Sequence, residues 1–154
     1  MKLKQCAALI NDRVDGSSLS PGTYLSTENM ISNLGGFTPN NQCPNFVVTA
    51  YRRNDILLSN IRPYFKKMVF AKTEGGSSND VICIRADKTK VLPQFLYYCL
   101  CADAFFDYYV SNCKGTKMPR GDKQALLNYD VPEFSLEEQR HIVDAIASLL
   151  RESS

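Results

Sequence analysis

Histidine occurs once in this chain, as His141, and none of the six cysteines, Cys6, Cys43, Cys83, Cys99, Cys101 and Cys113, stands in a Cys-x-x-Cys pair. Metal ligation is thereby disfavoured, because zinc sites of ordinary spacing need clustered Cys and His. Most of the cysteines sit in apolar runs such as Val81-Ile82-Cys83-Ile84, so they read as reduced, small, buried hydrophobes. There is no Gly-x-x-x-x-Gly-Lys-Ser/Thr loop for nucleotide phosphates, no His-Glu-x-x-His, and no Asn/Asp-Pro-Pro-aromatic motif of an amino-methyltransferase. The chain is therefore expected not to be an enzyme, and no catalytic residue, cofactor or metal ligand is assigned. No apolar segment reaches the length of a membrane span, and none with a small-residue cleavage site follows the basic start Met1-Lys2-Leu3-Lys4. A cytoplasmic protein is expected, in keeping with reduced thiols. Net charge is also nearly absent: 18 Lys and Arg against 16 Asp and Glu leave +2. Any affinity for a polyanion must come from where the cations sit.

The chain has 154 residues, 44% hydrophobic and 22% charged, a composition that can bury a core in a single soluble domain. Cys6 to Ile10 reads as a first strand and Asn11 to Gly22, with Asp15-Gly16 and Pro21-Gly22, as a surface loop. Thr23 to Met30 reads as extended. Ser32 to Asn45 is too densely punctuated by Gly35-Gly36, Pro39-Asn40-Asn41 and Pro44 for a regular element. Phe46 to Tyr51, Ile56 to Ser59, Met68 to Ala71 and Val81 to Ile84 have the bias of strands, the last with both faces buried. Gly75 to Asn79 reads as a turn between them. After Pro93 the apolar residues Phe95, Leu96, Cys99, Leu100, Phe105, Phe106 and Tyr109 recur at helical steps, with a break near Ala102-Asp103, and this aromatic stripe is read as packed on the sheet. A short helix over Asp122 to Leu127 and a brief strand ending at Val131-Pro132 come next. Ser135-Leu136-Glu137-Glu138 is a capping box that starts a helix to about Glu152, with Leu136, Val143 and Leu150 spaced by seven.

Two loops stand out. Asp55-Ile56-Leu57-Leu58-Ser59-Asn60-Ile61-Arg62-Pro63-Tyr64-Phe65-Lys66-Lys67-Met68-Val69-Phe70 interrupts two apolar runs with a basic and aromatic turn, and Gly115-Thr116-Lys117-Met118-Pro119-Arg120-Gly121-Asp122 repeats the recipe. Cationic and aromatic side chains on loops bent by Gly and Pro suggest a nucleic-acid partner.

With these motifs placed, the chain resembles the target recognition domain of the specificity subunit of type I restriction-modification enzymes. The landmarks are Thr23-Tyr24-Leu25-Ser26-Thr27-Glu28-Asn29-Met30 with Gly35-Gly36-Phe37, then Asp55 to Tyr64, Ser77-Ser78-Asn79-Asp80, Phe95-Leu96-Tyr97-Tyr98, Gly115 to Arg120, and Val131-Pro132 ahead of Leu136-Glu137-Glu138-Gln139-Arg140. Their order is more specific than any one of them. The resemblance implies an α+β fold, a twisted mixed β-sheet with packed helices at 1–134, followed by a C-terminal helix at 135–154 that begins the spacer of the subunit. It implies a non-catalytic, sequence-specific double-stranded DNA reader for one half of a bipartite target, in a prokaryotic cytoplasm. The implied partners are methyltransferase (modification) subunits, a restriction subunit indirectly, and a second recognition domain or a homodimer. S-adenosylmethionine, ATP and magnesium would belong to those partners. A full subunit carries two recognition domains, so a half-subunit, a truncated or exchangeable gene, or an expressed fragment is expected; an orphan half acting only as a protein-interaction or regulatory module is the alternative. Asn54 stands where the family usually has Gly.

Arg62, Lys66, Lys67, Lys114, Lys117 and Arg120 are candidates for phosphate contact, each such contact steepening the salt dependence of binding by roughly 0.9 in log-log slope. Ser59, Asn60, Tyr64, Ser77, Ser78 and Thr116 are candidates for added hydrogen bonds to phosphate. Arg62 has a competing structural reading, a bidentate pair with Asp55, Asp80 or Asp122, which is preferred. Motifs shared by a family whose members read different sequences cannot distinguish those sequences. Base readers are therefore expected in irregular segments: Asn11, Asp12, Arg13, Asn40, Asn41, Gln42, Asn45 and Lys72. Leu136, Ile142, Val143, Ile146, Leu149 and Leu150 are expected to form a protein interface, against the alternative that they pack on their own domain.

Overall fold

The computed structural model describes residues 1–152. Apolar runs without polar alternation need cover on both faces, and the fold supplies it with two sheets and a helical layer. The central sheet has the order β1 (Ala7–Leu9), β8 (Val81–Ala86), β5 (Ile56–Ser59), β6 (Met68–Phe70), all antiparallel. The outer sheet has the order β2 (Arg13–Asp15), β4 (Val47–Tyr51), β7 (Gly75–Ser77), β3 (Tyr24–Leu25), and β3 runs parallel to β7. The fold class is α+β, with two sheets where one was expected.

Side chains alternate across each strand, so the central sheet feeds two cores. Ile56, Leu58, Met68, Ile82 and Ile84 face the helices, meeting Phe95, Leu96, Leu100, Phe105, Phe106 and Tyr109. Leu57, Val69, Val81 and Cys83 face the outer sheet, meeting Leu25 and Tyr51. Burial pushes the Tyr51 phenol up to about 12, and its hydroxyl donates to the Thr23 carbonyl at 2.7 Å. The aromatic stripe is thus core, as expected. It is carried by α2 (Pro93–Leu100) and α3 (Asp103–Ser111), separated at Ala102, whose ψ of 145° is extended.

Several expectations are corrected. The chain opens with a short helix, α1 (Leu3–Cys6), ahead of β1. The segment read as a loop from Asn11 holds β2 and a 3-10 turn at Gly16–Ser18, capped by Asp15. Of Thr23 to Met30 only Tyr24–Leu25 is a strand. The glycines read as a turn form the buried strand β7, because the sheet leaves no room there: a Cβ on Gly75 would strike the Thr23 carbonyl and the Tyr51 ring, and one on Gly76 would lie 2.7 Å from Val48 and 2.8 Å from Leu19. Near Val131 there is a single bridge, Lys2 to Asp130, and no strand. Asn54 takes a φ of 74°, a left-handed conformation that Gly or Asn accepts, so the turn before Asp55 is preserved. Only Cys6 and Cys83 of the six thiols are fully buried; the others are half-buried.

After α4 (Lys123–Leu127), α5 (Leu136–Glu152) begins with the expected reciprocal cap: Glu138 N–H donates to Ser135 Oγ and Ser135 N–H to Glu138 Oε1, both at 3.1 Å. Gln139 is fully buried and sews α5 to the start of α2, accepting from Leu92 N–H at 2.8 Å and donating to the Lys90 carbonyl at 3.1 Å. Val143 lies in the helical core with Ile142 packed against it. These two expected interface residues therefore belong to the domain's own core. Leu136, Leu149 and Leu150 are exposed and Ile146 is half-buried. The first turns of the helix pack against the 1–134 portion, and Ser153 and Ser154, the end of the expected 135–154 segment, lie outside the described residues. No helix among the described residues is long and apolar enough to cross a membrane.

Candidate nucleic-acid interface

The two basic loops lie side by side. Arg62 N–H donates to the Pro119 carbonyl at 2.8 Å, Gly121 N–H to Asn60 at 3.0 Å, and Asn60 N–H to Asp80 at 2.8 Å. Three segments that are distant in sequence, Asn60–Arg62, Ser78–Asp80 and Lys114–Gly121, thus form one polar ridge. Each has a local reason for its shape. Arg62 and Lys66 both have positive φ, 47° and 54°, at either end of the 3-10 turn Pro63–Phe65. Such conformations cost non-glycine residues about 1 kcal/mol or more, and here they throw the turn outward. Tyr64 and Phe65 are exposed, with ring centroids 4.8 Å apart edge to face. The second loop is a tight hairpin closed by Lys114 and Arg120, whose backbones exchange two hydrogen bonds of 2.8 Å, with Gly115 at a φ of 98°. Beneath the ridge, the buried Tyr109 hydroxyl donates to Asn60 Oδ1 at 3.0 Å, and burial raises its phenol.

Charge on the ridge is partly compensated. Lys66 Nζ lies 3.5 Å from Asp103, Lys114 Nζ 3.2 Å from Asp122, and Arg120 Nη1 2.9 Å from Asp80. Lys67 donates to the Thr27 carbonyl at 2.8 Å and lies 5.6 Å from the Phe65 ring centroid. Arg62 and Lys117 are exposed and face no carboxylate among the described residues. The pairing preferred for Arg62 does not form: Asp55 is taken by Arg85, Asp80 by Arg120 and Asp122 by Lys114. Arg85 was missed, though a lone cation ending an apolar strand was the signal for it. Asp122 also caps α4, accepting from Gln124 and Ala125; these N–H groups, the Ala125 one foremost, and Lys114 hold its carboxyl below the usual carboxylate range.

Ser59 and Ser77 are buried and are withdrawn as phosphate contacts: the Ser59 hydroxyl serves the Ile61 backbone, and Ser77 sits in β7 between Thr49 of β4 and Leu25 of β3. Ser78 is half-buried, whereas Tyr64, Thr116 and Lys117 are exposed.

Asn11, Asp12 and Arg13 adjoin the ridge. Arg13 Nη1 donates to Asn79 Oδ1 at 3.1 Å and to Thr49 Oγ1 at 3.2 Å, and a cleft of about 240 Å³ gathers Asn11, Arg13, Asn79 and Lys123. Asp12 lies 3.6 Å from Arg85. Asn79 and Lys123 were not among the expected site residues, although Asn79 ends the Gly75 to Asn79 stretch read as a turn. Asn41, Gln42 and Asn45 are exposed on a separate loop in which Asn40 Oδ1 accepts from Gln42 N–H at 3.0 Å; that loop reaches the β2 end through Gly16 N–H to the Phe46 carbonyl at 2.8 Å. Lys72 is not brought to this site: it lines an apolar groove of about 900 Å³ with Phe37, Phe70, Tyr97 and Leu150, which no other base-reading candidate lines.

No protein-family model and no curated protein matches the chain. Solved structures do share its fold. The HsdS subunit from Thermoanaerobacter tengcongensis superposes with a TM-score of 0.75 at 21% identity, over 99% of this chain and 42% of that one. A chain from a study of complex assembly and conformational transition of the type I R-M system gives 0.69 at 17% identity, over 99% of this chain and 38% of that one. The type I restriction-modification system S subunit from M. genitalium gives 0.67 at 12% identity, over 96% of this chain and 37% of that one. The chain spans about two fifths of the length of the solved chains it matches.

Proposed function

We propose that this chain is a non-catalytic DNA-reading domain that recognises one half of a bipartite duplex target for a type I restriction-modification complex. The observation that carries the reading is a fold shared along nearly its whole length with S subunits, combined with polar loops that meet on one side of that fold. Arg62, Lys117, Thr116 and Tyr64 are the exposed groups for the phosphate backbone, and Lys66, Lys114 and Arg120 join them when duplex phosphates displace Asp103, Asp122 and Asp80. Exposed ion pairs of this kind contribute little, about 0 to 1 kcal/mol, so their exchange is easy. Modification subunits are the partners that would supply the methyl donor and the chemistry, in a prokaryotic cytoplasm. The 1–134 portion would hold the reading surface, and the outer turns of α5, from Ile146 to Leu150, would continue toward a partner helix.

The alternative, a protein-interaction half that does not read DNA, is favoured by the carboxylates beside three of the six cationic candidates. Binding of the chain to random duplexes over a salt series separates the two. A log-log slope of about −2 or steeper supports DNA contact, and a slope near zero supports the alternative. Co-expression with modification subunits and genome-wide mapping of methylated adenines then identifies the half-site.

A further inference from the structure

We infer that the β2–β4 edge of the outer sheet is the element that enters the major groove, and that Arg13 reads a guanine there; this rests on the DNA-reading function proposed above. β2 is an edge strand, and its register pairs Arg13 with Thr49 and Asp15 with Val47. Directly paired residues and their next-but-one neighbours share a face, so Arg13, Asp15, Val47 and Thr49 point the same way. The strand pair at this free edge of the four-stranded sheet can present that face to a major groove about 12 Å wide.

Arg13 differs from the cations of the ridge. Three of those, Lys66, Lys114 and Arg120, are met by carboxylates, whereas both hydrogens of Arg13 Nη1 go to neutral acceptors, Thr49 Oγ1 at 3.2 Å and Asn79 Oδ1 at 3.1 Å. The charge is kept, one edge of the guanidinium is anchored, and the Nε–H and Nη2–H edge is left as a two-pronged fork. A fork of parallel donors matches O6 and N7 of guanine, and anchoring reduces the entropy lost on docking. The nearest acid on this face, Asp15, is turned away to accept from Ser17 N–H at 2.9 Å and Ser17 O–H at 2.8 Å.

The surroundings favour a base over a phosphate. Val47, which shares this face with Arg13, is 54% exposed, apolar surface that a phosphate would not reward but a thymine methyl would. Thr49 and Asn79 are positioning residues: Asn79 comes from the Ser77-Ser78-Asn79-Asp80 landmark, so a scaffold common to many readers holds a side chain that is free to vary.

The test is selection of bound duplexes from a randomised pool by the full chain, alone and with Arg13→Ala, Arg13→Lys and Asn79→Ala, each checked for folding by circular dichroism. The wild type should select a half-site containing a guanine. Arg13→Ala should lose preference at that one position about tenfold or more while the other positions stand. Arg13→Lys should keep affinity but weaken the preference, and Asn79→Ala should weaken it at the same position. A half-site without guanine, an unchanged preference in Arg13→Ala, or a uniform loss across all sequences with a salt slope shallower by about 0.9 would each overturn the assignment. A wild-type chain that binds no duplex would instead remove the proposed function itself, and this inference with it.

Discussion

Arg85 clasps the buried carboxylate of Asp55 with two parallel hydrogen bonds, Nε to Oδ1 at 2.9 Å and Nη2 to Oδ2 at 2.8 Å, across neighbouring strands of the central sheet. The same carboxylate accepts from Arg52 N–H at 2.8 Å and from the Cys83 thiol at 3.3 Å. Burial and the adjacent Asp55 charge raise that thiol. Asp55 thus fixes the turn that launches the basic loop without facing solvent itself. Removing Arg85 leaves a buried charge with no counter-ion, so Arg85→Ala should lose about 3 kcal/mol in urea unfolding. Arg85→Met combined with Asp55→Asn should lose less than Arg85→Ala alone, because no orphan charge remains. Equal losses in both would mean that packing dominates.

Asp80 and Arg120 form an exposed pair with the opposite logic. Their side chains are 40% and 53% exposed, so the pair contributes little to stability. Asp80→Asn should leave the unfolding midpoint almost unchanged yet strengthen binding to random duplexes and steepen the salt slope, as Arg120 becomes available to phosphate. Filter binding at several salt concentrations checks it. An unaltered slope would take Arg120 out of the proposed contact surface.

How far the sequence disclosed this molecule depends on what kind of pattern each part left. Unbroken apolar runs announced β5 and β8, helical spacing announced α2 and α3, and Ser135 with Glu138 announced α5. Strand β7 was hidden, because Gly75 and Gly76 are turn residues by local preference and become strand only through the lack of space under Tyr51 and Leu19. The meeting of the Asn60 and Pro119 loops was legible only as a shared basic composition. Which acid meets which cation was not legible, since Arg62 and Arg85 carry the same charge and only the sheet register puts Arg85 over Asp55. Asn79 stood in a turn and a landmark, but its bond with Arg13 across the sheet edge was not legible, because the two are far apart in sequence.

Asp122 ties acid stability to the ridge. Its folded-state carboxyl lies below the ordinary range, chiefly through the Ala125 N–H and then Lys114. A lowered carboxyl contributes stability that is fully present above the unfolded-state value of about 3.9 and is lost as pH falls through the folded-state value. Asp122→Asn keeps an acceptor for the α4 cap and removes the charge. Its stability should therefore fall less steeply than wild type below about pH 4, although Asp15 and Asp87, which are also lowered, continue to contribute. Chemical denaturation from pH 6 to pH 3 measures the difference, and identical slopes would show that Asp122 acts only as a cap.

α5 separates folding from assembly along its own length. Val143 is 6% exposed and sits in the helical core, whereas Leu149 is 65% exposed near the outer end. Val143→Ala should cost about 2 kcal/mol from lost burial and the cavity left behind. Leu149→Glu lies on the surface and should change stability by no more than about 0.5 kcal/mol. If the outer turns dock on a modification subunit or on another recognition domain, an acid there is buried without a partner, and the complex should weaken although the domain stays folded. Thermal melting of both variants, with size-exclusion chromatography after co-expression with modification subunits, reads the two effects independently. Co-elution of Leu149→Glu at the wild-type level would assign this end of the helix to solvent.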